Sequence, residues 1–95
     1  HIAEHWALED GGAIGHKHYQ HGGELELEEG RRYIVDVGSV GQPRDLNPAA
    51  SLAFYEPELR RVQWARYEYP IADVQRKIRA AGLPEYLADR LEVGR

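Results

Sequence analysis

The chain of 95 residues contains no cysteine and no long apolar run, and its 16 acidic residues outnumber its 12 basic ones. Without cysteine there can be neither a disulfide framework nor a thiolate metal site, which fits a reducing compartment and leads us to expect a cytoplasmic protein. No stretch approaches the ~20 apolar residues of a membrane span, so no membrane association is expected. The net charge of −4 and the lack of a basic stripe argue against a nucleic-acid partner.

What the chain does have is the composition of a globular domain, with 42% hydrophobic and 29% charged residues, and a length that supports one modest core. Its periodicities predict an α+β fold in which helices pack on a small antiparallel sheet. The predicted elements, in order, are a helix over 2–9, a strand end at 13–14, a loop over 15–23, strands near 24–28 and 31–37 joined by a hairpin turn at 29–30, a loop over 38–48, a hairpin of strands 49–55 and 59–69, and helices over 71–81 and 84–92.

The alternation of apolar and polar residues in these strands also predicts which side chains are buried, since a slip of one residue would turn the whole set outward. The set expected in the core is Leu25, Leu27, Val35, Val37, Leu52, Phe54, Val62 and Trp64.

Two histidines, His16 and His18, follow Gly15 and flank Lys17. In an extended segment their side chains point the same way, whereas in a tight turn they diverge and can reach two ions. Imidazole suits zinc, manganese, iron and nickel. The His-x-His spacing alone is a weak signal, and a polar surface loop with incidental histidines is the competing interpretation.

A second loop, from Gly38 to Asp45, reads Gly-Ser-Val-Gly-Gln-Pro-Arg-Asp. Its small residues permit sharp turns in which consecutive backbone N–H groups form an anion-binding nest. Arg44 offers a planar fork that fits phosphate. The alternative is that Arg44 and Asp45 pair with each other or with the sheet, and that the glycines only shape the turn.

The two motifs at this separation resemble the C-terminal part of calcineurin-like metallophosphoesterases, and more narrowly the bacterial and archaeal phosphoesterases of the diadenosine-tetraphosphatase-like subgroup. The predicted helix over 71–81, with Gly-Leu-Pro at 82–84 and a second helix after it, is also similar to that family. Three residues depart from the family pattern, because Lys17 stands where threonine or serine is usual, Asp36 where asparagine is usual and Val37 where proline is usual.

The resemblance implies that residues 1–95 are the C-terminal portion of a single four-layer α/β/β/α domain whose N-terminal half, with the remaining metal ligands, is absent. It implies that His16 and His18 bind two divalent ions (Mn, Fe, Ni, Zn or Mg), and that Ser39, Arg44 and Lys17 lie on the phosphate side of the site or support it.

The implied function of the complete protein is hydrolysis of a phosphate mono- or diester by a metal-activated hydroxide at a dinuclear centre, with nucleotides among the candidate substrates. The 95-residue chain alone is expected to be inactive. The alternative is a non-catalytic interaction domain that keeps the fold and lacks the metal centre. In either case we expect the missing half or a second copy to cover an apolar face formed by Ala13, Ile14, Tyr33, Val35 and Val37.

Overall fold

The computed structural model describes all 95 residues and has six strands and two helices. These are β1 (Ala3–Leu8), β2 (Ile14–His18), β3 (Gly23–Glu26), β4 (Tyr33–Val37), β5 (Ala50–Glu56), β6 (Arg61–Tyr67), α1 (Ile71–Ala80) and α2 (Glu85–Val93). The strands form two antiparallel sheets with the orders β2-β1-β4 and β3-β6-β5. The α+β class predicted from the sequence is confirmed.

The segment predicted as a helix over 2–9 is strand β1, so that prediction was wrong. Ile2 and Trp6, one helical turn apart, suggested an apolar helix face. In the structure Ala3, His5 and Ala7 alternate inward and are buried. β1 is the central strand of its sheet, paired on one side with β2 and on the other with β4. This pairing on both sides outweighs the weak helical pattern of a six-residue segment.

The predicted hairpin at Glu29-Gly30 does not form, although both flanking strands exist. β3 pairs with β6, whereas β4 pairs with β1 in the other sheet. The alternation of residues indicates which side of a strand is apolar but not which strand lies beside it, so this connection crosses between the sheets. The predicted β5–β6 hairpin does form, with Ala53 opposite Trp64.

The core lies between the two sheets. Its centre is made of Ala3, Tyr19, Val62 and Trp64. The rings of Tyr19 and Trp64 stack with centroids 3.8 Å apart. The indole Nε1 of Trp64 donates a hydrogen bond of 3.0 Å to the carbonyl oxygen of Asp36 in the opposite sheet. Burial of one aromatic ring contributes about 3 kcal/mol to folding stability, so this pair is a major contact holding the two sheets together.

The predicted core set is only partly confirmed. Val62 and Trp64 are buried, and four others are half-buried. Val37 and Phe54 are 47% and 50% exposed, so their predicted burial was wrong. Both belong to edge strands, β4 and β5, where each side chain has a neighbouring strand on one side only.

The predicted apolar face of five residues also does not exist as one surface. Tyr33 and Val35 lie on the inner side of β4, because Val35 is opposite the buried His5. Ile14 is opposite Leu8, on the outer side of the sheet, and is 62% exposed.

The two helices form an antiparallel pair close to their predicted bounds. Gly82, at φ +73°, ends α1 as predicted, and the N–H of Leu83 donates to the carbonyl of Ile78 in the pattern of a Schellman motif. Gln75 is buried between the helices and donates from Nε2 to the carbonyl of Ala88, 3.0 Å away. Neither helix is long and apolar enough to cross a bilayer.

Candidate functional site

The outer face of the first sheet carries a cluster of three chemically active side chains. The β1–β2 register puts Glu4 opposite His18 and Trp6 opposite His16. Since side chains alternate along a strand, these four lie on the side opposite the buried Ala3 and its neighbours. Of the two arrangements considered for the histidines, the extended one is therefore observed, and both imidazoles point the same way.

Glu4 bridges the two histidines. Its Oε2 atom lies 2.6 Å from Nε2 of His16 and 3.0 Å from Nε2 of His18. The Glu4 side chain is only 12% exposed, whereas those of His16 and His18 are 40% and 59% exposed. A largely buried carboxylate oxygen thus stands between two imidazoles that solvent can reach.

The donor atoms of this cluster fit a divalent transition metal. One oxygen and two nitrogens lie within 4.8 Å of one another. Carboxylate and imidazole are ligands for zinc, manganese, iron and nickel, and three protein donors with an open position are typical of catalytic zinc sites. The cluster supplies the donors for one ion.

Lys17 lies on the other side of β2. Its Nζ atom is 5.1 Å from the ring centroid of Tyr19. The hydroxyl of Tyr19 is 2.8 Å from Nδ1 of the buried His5. Burial lowers the pKa of His5 below its ordinary value, and the positive charge of Lys17 lowers this pKa further. Lys17 is therefore not brought together with His16 and His18 but faces the core side of the sheet.

The loop that follows β4 is shaped by close backbone packing. Gly38 has φ +83°, and a Cβ atom there would lie 2.8 Å from Cβ and Oγ of Ser51. The N–H of Gly38 donates to Oδ1 of Asp36, at 2.8 Å. Oγ of Ser39 accepts a hydrogen bond from the N–H of Gln42, at 2.9 Å. Ser39 and the glycine thus shape the turn, and the hydroxyl of Ser39 is used within it.

Arg44 and Asp45, adjacent in sequence, have different environments. Asp45 is paired with Arg66 of β6, at 2.5 and 3.1 Å, and both side chains are more than nine-tenths buried. The suggestion that Asp45 pairs with the sheet is therefore correct. The guanidinium of Arg44 is exposed, and its hydrogen-bond partner is Oε1 of Gln42, at 3.4 Å.

Arg44 and His18 line the same open pocket, of about 290 Å³. Its other lining residues are Ile2, Gln20, Asp45 and Leu46. Because the Asp45 carboxylate is neutralised by Arg66, the charged group that this pocket offers a ligand is the guanidinium of Arg44, with the imidazole of His18 beside it. The pocket therefore favours an anion beside the Glu4–His16–His18 cluster.

Two features of the site were missed in the sequence. Glu4 fell within the predicted helix over 2–9, and Gln20 within the predicted loop over 15–23. The alternation of Ala3, His5 and Ala7 with larger or charged residues was the available signal for a strand, and a strand would have placed Glu4 on one face with Trp6.

The fold and sequence comparisons agree with this geometry. The crystal structure of a metallophosphoesterase from Sphaerobacter thermophilus superposes with a TM-score of 0.86 at 42% sequence identity, over 98% of this chain and 39% of that one. The chain has a metallophosphoesterase-like fold. An uncharacterized protein of Methanocaldococcus jannaschii is 39% identical over 75 residues, which are 79% of this chain and 31% of that protein. No family model matches.

The chain thus spans about a third of the length of its curated relative and two-fifths of the solved metallophosphoesterase. The metallophosphoesterase-like fold implies the use of divalent metal, and the Glu4–His16–His18 cluster is the candidate group for it within these residues.

Proposed function

We propose that these residues are the C-terminal portion of a calcineurin-like phosphoesterase domain, and that the complete protein hydrolyses a phosphate mono- or diester with the help of divalent metal. The observation that carries the proposal is the convergence of Glu4, His16 and His18, with donor atoms within 4.8 Å, in a chain that matches a metallophosphoesterase over 98% of its residues. Nucleotides, as in the diadenosine-tetraphosphatase-like subgroup, are among the candidate substrates.

In this proposal Glu4, His16 and His18 hold one divalent ion, and the second ion of a dinuclear centre takes ligands from elsewhere in the complete protein. When bound, divalent metal supplies Lewis-acid activation of water and stabilises negative charge on phosphoryl oxygens. The lower exposure of Glu4 fixes its carboxylate, so that the two imidazoles have a stationary partner around which to orient.

Arg44 is the residue of this chain that we assign to the phosphate. Its guanidinium is exposed and shares a pocket with His18, so it can donate two parallel hydrogen bonds to a phosphoryl group next to the cluster. Ser39 supports this role through the turn that it forms with Gln42. Lys17, on the opposite side of β2, contributes positive charge only at a distance from the cluster.

The alternative function, a non-catalytic interaction domain, is favoured by the other end of the same sheet face. There Leu8, Ile14 and Ile34 are 42%, 62% and 69% exposed, and with Trp6 they line an apolar pocket of about 370 Å³. Such side chains commonly mark a contact surface. Light scattering on the 95-residue chain tests this, because a self-associating chain supports a contact surface and a stable monomer opposes one made by a second copy.

The experiment for the phosphoesterase measures hydrolysis of a generic aryl phosphate monoester and diester by the complete protein, with and without Mn²⁺. We expect His18→Ala and Glu4→Gln each to lower turnover on the order of 10²-fold, because each removes a donor from the cluster.

The matched control is His21→Ala, since His21 is also an exposed histidine but does not belong to the cluster. Wild-type turnover in His18→Ala at saturating Mn²⁺, or equal loss in His21→Ala, would contradict the assignment.

A further inference from the structure

The segment that follows Arg44 is held by several side-chain hydrogen bonds. Arg66 is 7% exposed, and besides Asp45 it donates to the carbonyl oxygens of Gln20, Asn47 and Ala49, at 3.1, 3.0 and 2.7 Å. One buried guanidinium therefore holds the Asp45 side chain, two backbone carbonyls between 45 and 49, and the carbonyl of Gln20 just after β2. These carbonyl acceptors stabilise the folded protein, because a buried guanidinium without hydrogen-bond partners would raise its free energy.

Side-chain amides tie the same pieces together a second time. Nε2 of Gln20 donates to the carbonyl of Asp45, at 2.7 Å. Nδ2 of Asn47 donates to the carbonyl of Gln20, at 2.8 Å. Between these anchors Leu46 has φ +64°, a left-handed conformation that a residue with a branched side chain rarely adopts. A conformation of this kind persists only when the surrounding contacts enforce it.

The C-terminal end of α2 supplies the remaining contact. The N–H of Leu46 donates to the carbonyl of Gly94, at 2.9 Å. Gly94 is buried, and a Cβ atom there would lie 2.7 to 2.9 Å from the backbone N, C and O atoms of Asn47. The end of the helix thus touches the backbone of the loop directly, with no room for any side chain.

The backbone of Arg44 is also held, since its N–H donates to the carbonyl of His1 at 2.8 Å. Its guanidinium is left exposed at the pocket that it shares with His18. We propose that the end of α2 and the Arg66 network position Arg44, so that Gly94 and Arg66 are positioning residues for the group that binds phosphate. The inference rests on the proposed function of Arg44 and adds how the fold fixes the backbone from which the Arg44 side chain extends. A fixed backbone limits the positions that the guanidinium can reach, so less freedom is lost when phosphate binds.

The test is a comparison of two glycine substitutions, Gly94→Ala and Gly82→Ala, in the complete protein. Both glycines follow a helix and have positive φ, +67° and +73°, but a Cβ atom at Gly82 meets nothing within 4 Å. The backbone strain is therefore similar in both variants, and only Gly94→Ala displaces the loop. The affinity for inorganic phosphate is read from an NMR titration that follows the Arg44 Nε–H signal.

We expect Gly94→Ala to weaken phosphate binding on the order of tenfold and Gly82→Ala to change it less than about twofold. In an Arg44→Gln background, Gly94→Ala should add no further loss, because Gly94 acts through Arg44. The inference is overturned if the two glycine variants behave alike, if the loss is as large without Arg44, or if phosphate does not shift the Arg44 signal.

Mn²⁺ affinity and metal-dependent turnover, measured on the same proteins, separate this inference from the proposed function. A wild-type protein with metal-dependent turnover but equal phosphate affinity in both glycine variants loses the positioning role and keeps the function. Absence of metal dependence in the wild type removes the function itself. If Gly94→Ala does not fold, Asn47→Ala removes two anchors of the segment, its bonds to Gln20 and Ala49, and is tested in the same Arg44 cycle.

Discussion

The loop from Gly38 to Asp45 and the strand β2 each carry one of the two motifs in the sequence, but they are constructed in opposite ways. After the exposed Arg44, the loop ends at Asp45, which forms a buried ion pair with Arg66. Arg66 also donates hydrogen bonds to the backbone carbonyls of the next residues. Strand β2 lies at the edge of its sheet. Both of its histidines contact the carboxylate of Glu4 on the neighbouring strand β1.

The difference separates side chains that maintain the fold from those that are free to bind a ligand. Asp45 and the two terminal nitrogens of Arg66 make their hydrogen bonds inside the protein, although the buried Nε of Arg66 has no partner. His16 and His18 remain accessible to solvent, and the Glu4 carboxylate is the hydrogen-bonding group that they share. A motif in sequence therefore mixes both kinds of residue, and burial distinguishes them.

The largest expected effect comes from breaking the buried side of this comparison. Asp45→Asn leaves the Arg66 guanidinium with an uncompensated buried charge, which costs about 3–5 kcal/mol of unfolding free energy. Urea denaturation of the 95-residue chain measures it. The matched control is Asp73→Asn, whose partner Arg76 is 73% exposed, and which should cost less than about 1 kcal/mol. An equal loss of unfolding free energy in Asp45→Asn and Asp73→Asn would show that burial does not make the Asp45–Arg66 pair more important for stability.

The histidines should show the reverse behaviour. His16→Ala and His18→Ala are expected to change the unfolding free energy by less than about 1 kcal/mol, because neither ring is buried in the core. The same substitutions should weaken Zn²⁺ binding to the chain by roughly tenfold or more, as measured by titration calorimetry. His21→Ala should alter neither quantity. If His16→Ala or His18→Ala destabilised the chain but left the Zn²⁺ affinity unchanged, that histidine would maintain the fold and would not bind metal.

The smallest expected effect concerns Tyr69, whose hydroxyl is buried without a partner. Burial raises the pKa of Tyr69 above its ordinary value of 10. The unfolded chain therefore loses this proton first, and the contribution of Tyr69 to stability is present below pH 10 and is lost as the pH rises through its folded pKa.

Tyr69→Phe should remove that alkaline loss, and at neutral pH it should leave stability unchanged or raise it by up to about 1 kcal/mol. Unfolding curves at pH 7 and above pH 10 test both parts. A steeper alkaline loss in the variant would contradict the sign of the pKa shift.

Local signals in the sequence were sufficient for the C-terminal half of the fold. The sequence over 49–55 and 59–69 predicted the β5–β6 hairpin, and Gly82 marked the end of α1. Each of these signals acts within a few residues. The pairing of β4 with β1, and of β3 with β6, depends on partners far along the chain, and no local pattern specifies them.

The candidate site, like the fold, could be predicted only where residue type and local motif were sufficient. The histidines and Arg44 were selected by residue type and motif, but Glu4 is 12 residues from His16 and Arg66 is 21 residues from Asp45. Their importance arises from strand register and burial, which single-sequence patterns do not contain. The roles of His16 and His18 as metal ligands, and of Arg44 as the residue that binds phosphate, remain predictions for the experiments above.

The two tryptophans give the molecule separate optical reporters. Trp64 is 2% exposed in the core, so its emission follows folding. Trp6 is stacked on His16 with ring centroids 4.9 Å apart and planes at 7°, so we expect its emission to change when the imidazole binds a metal ion. In a Trp64→Phe variant the remaining fluorescence would monitor His16 directly, without any attached label.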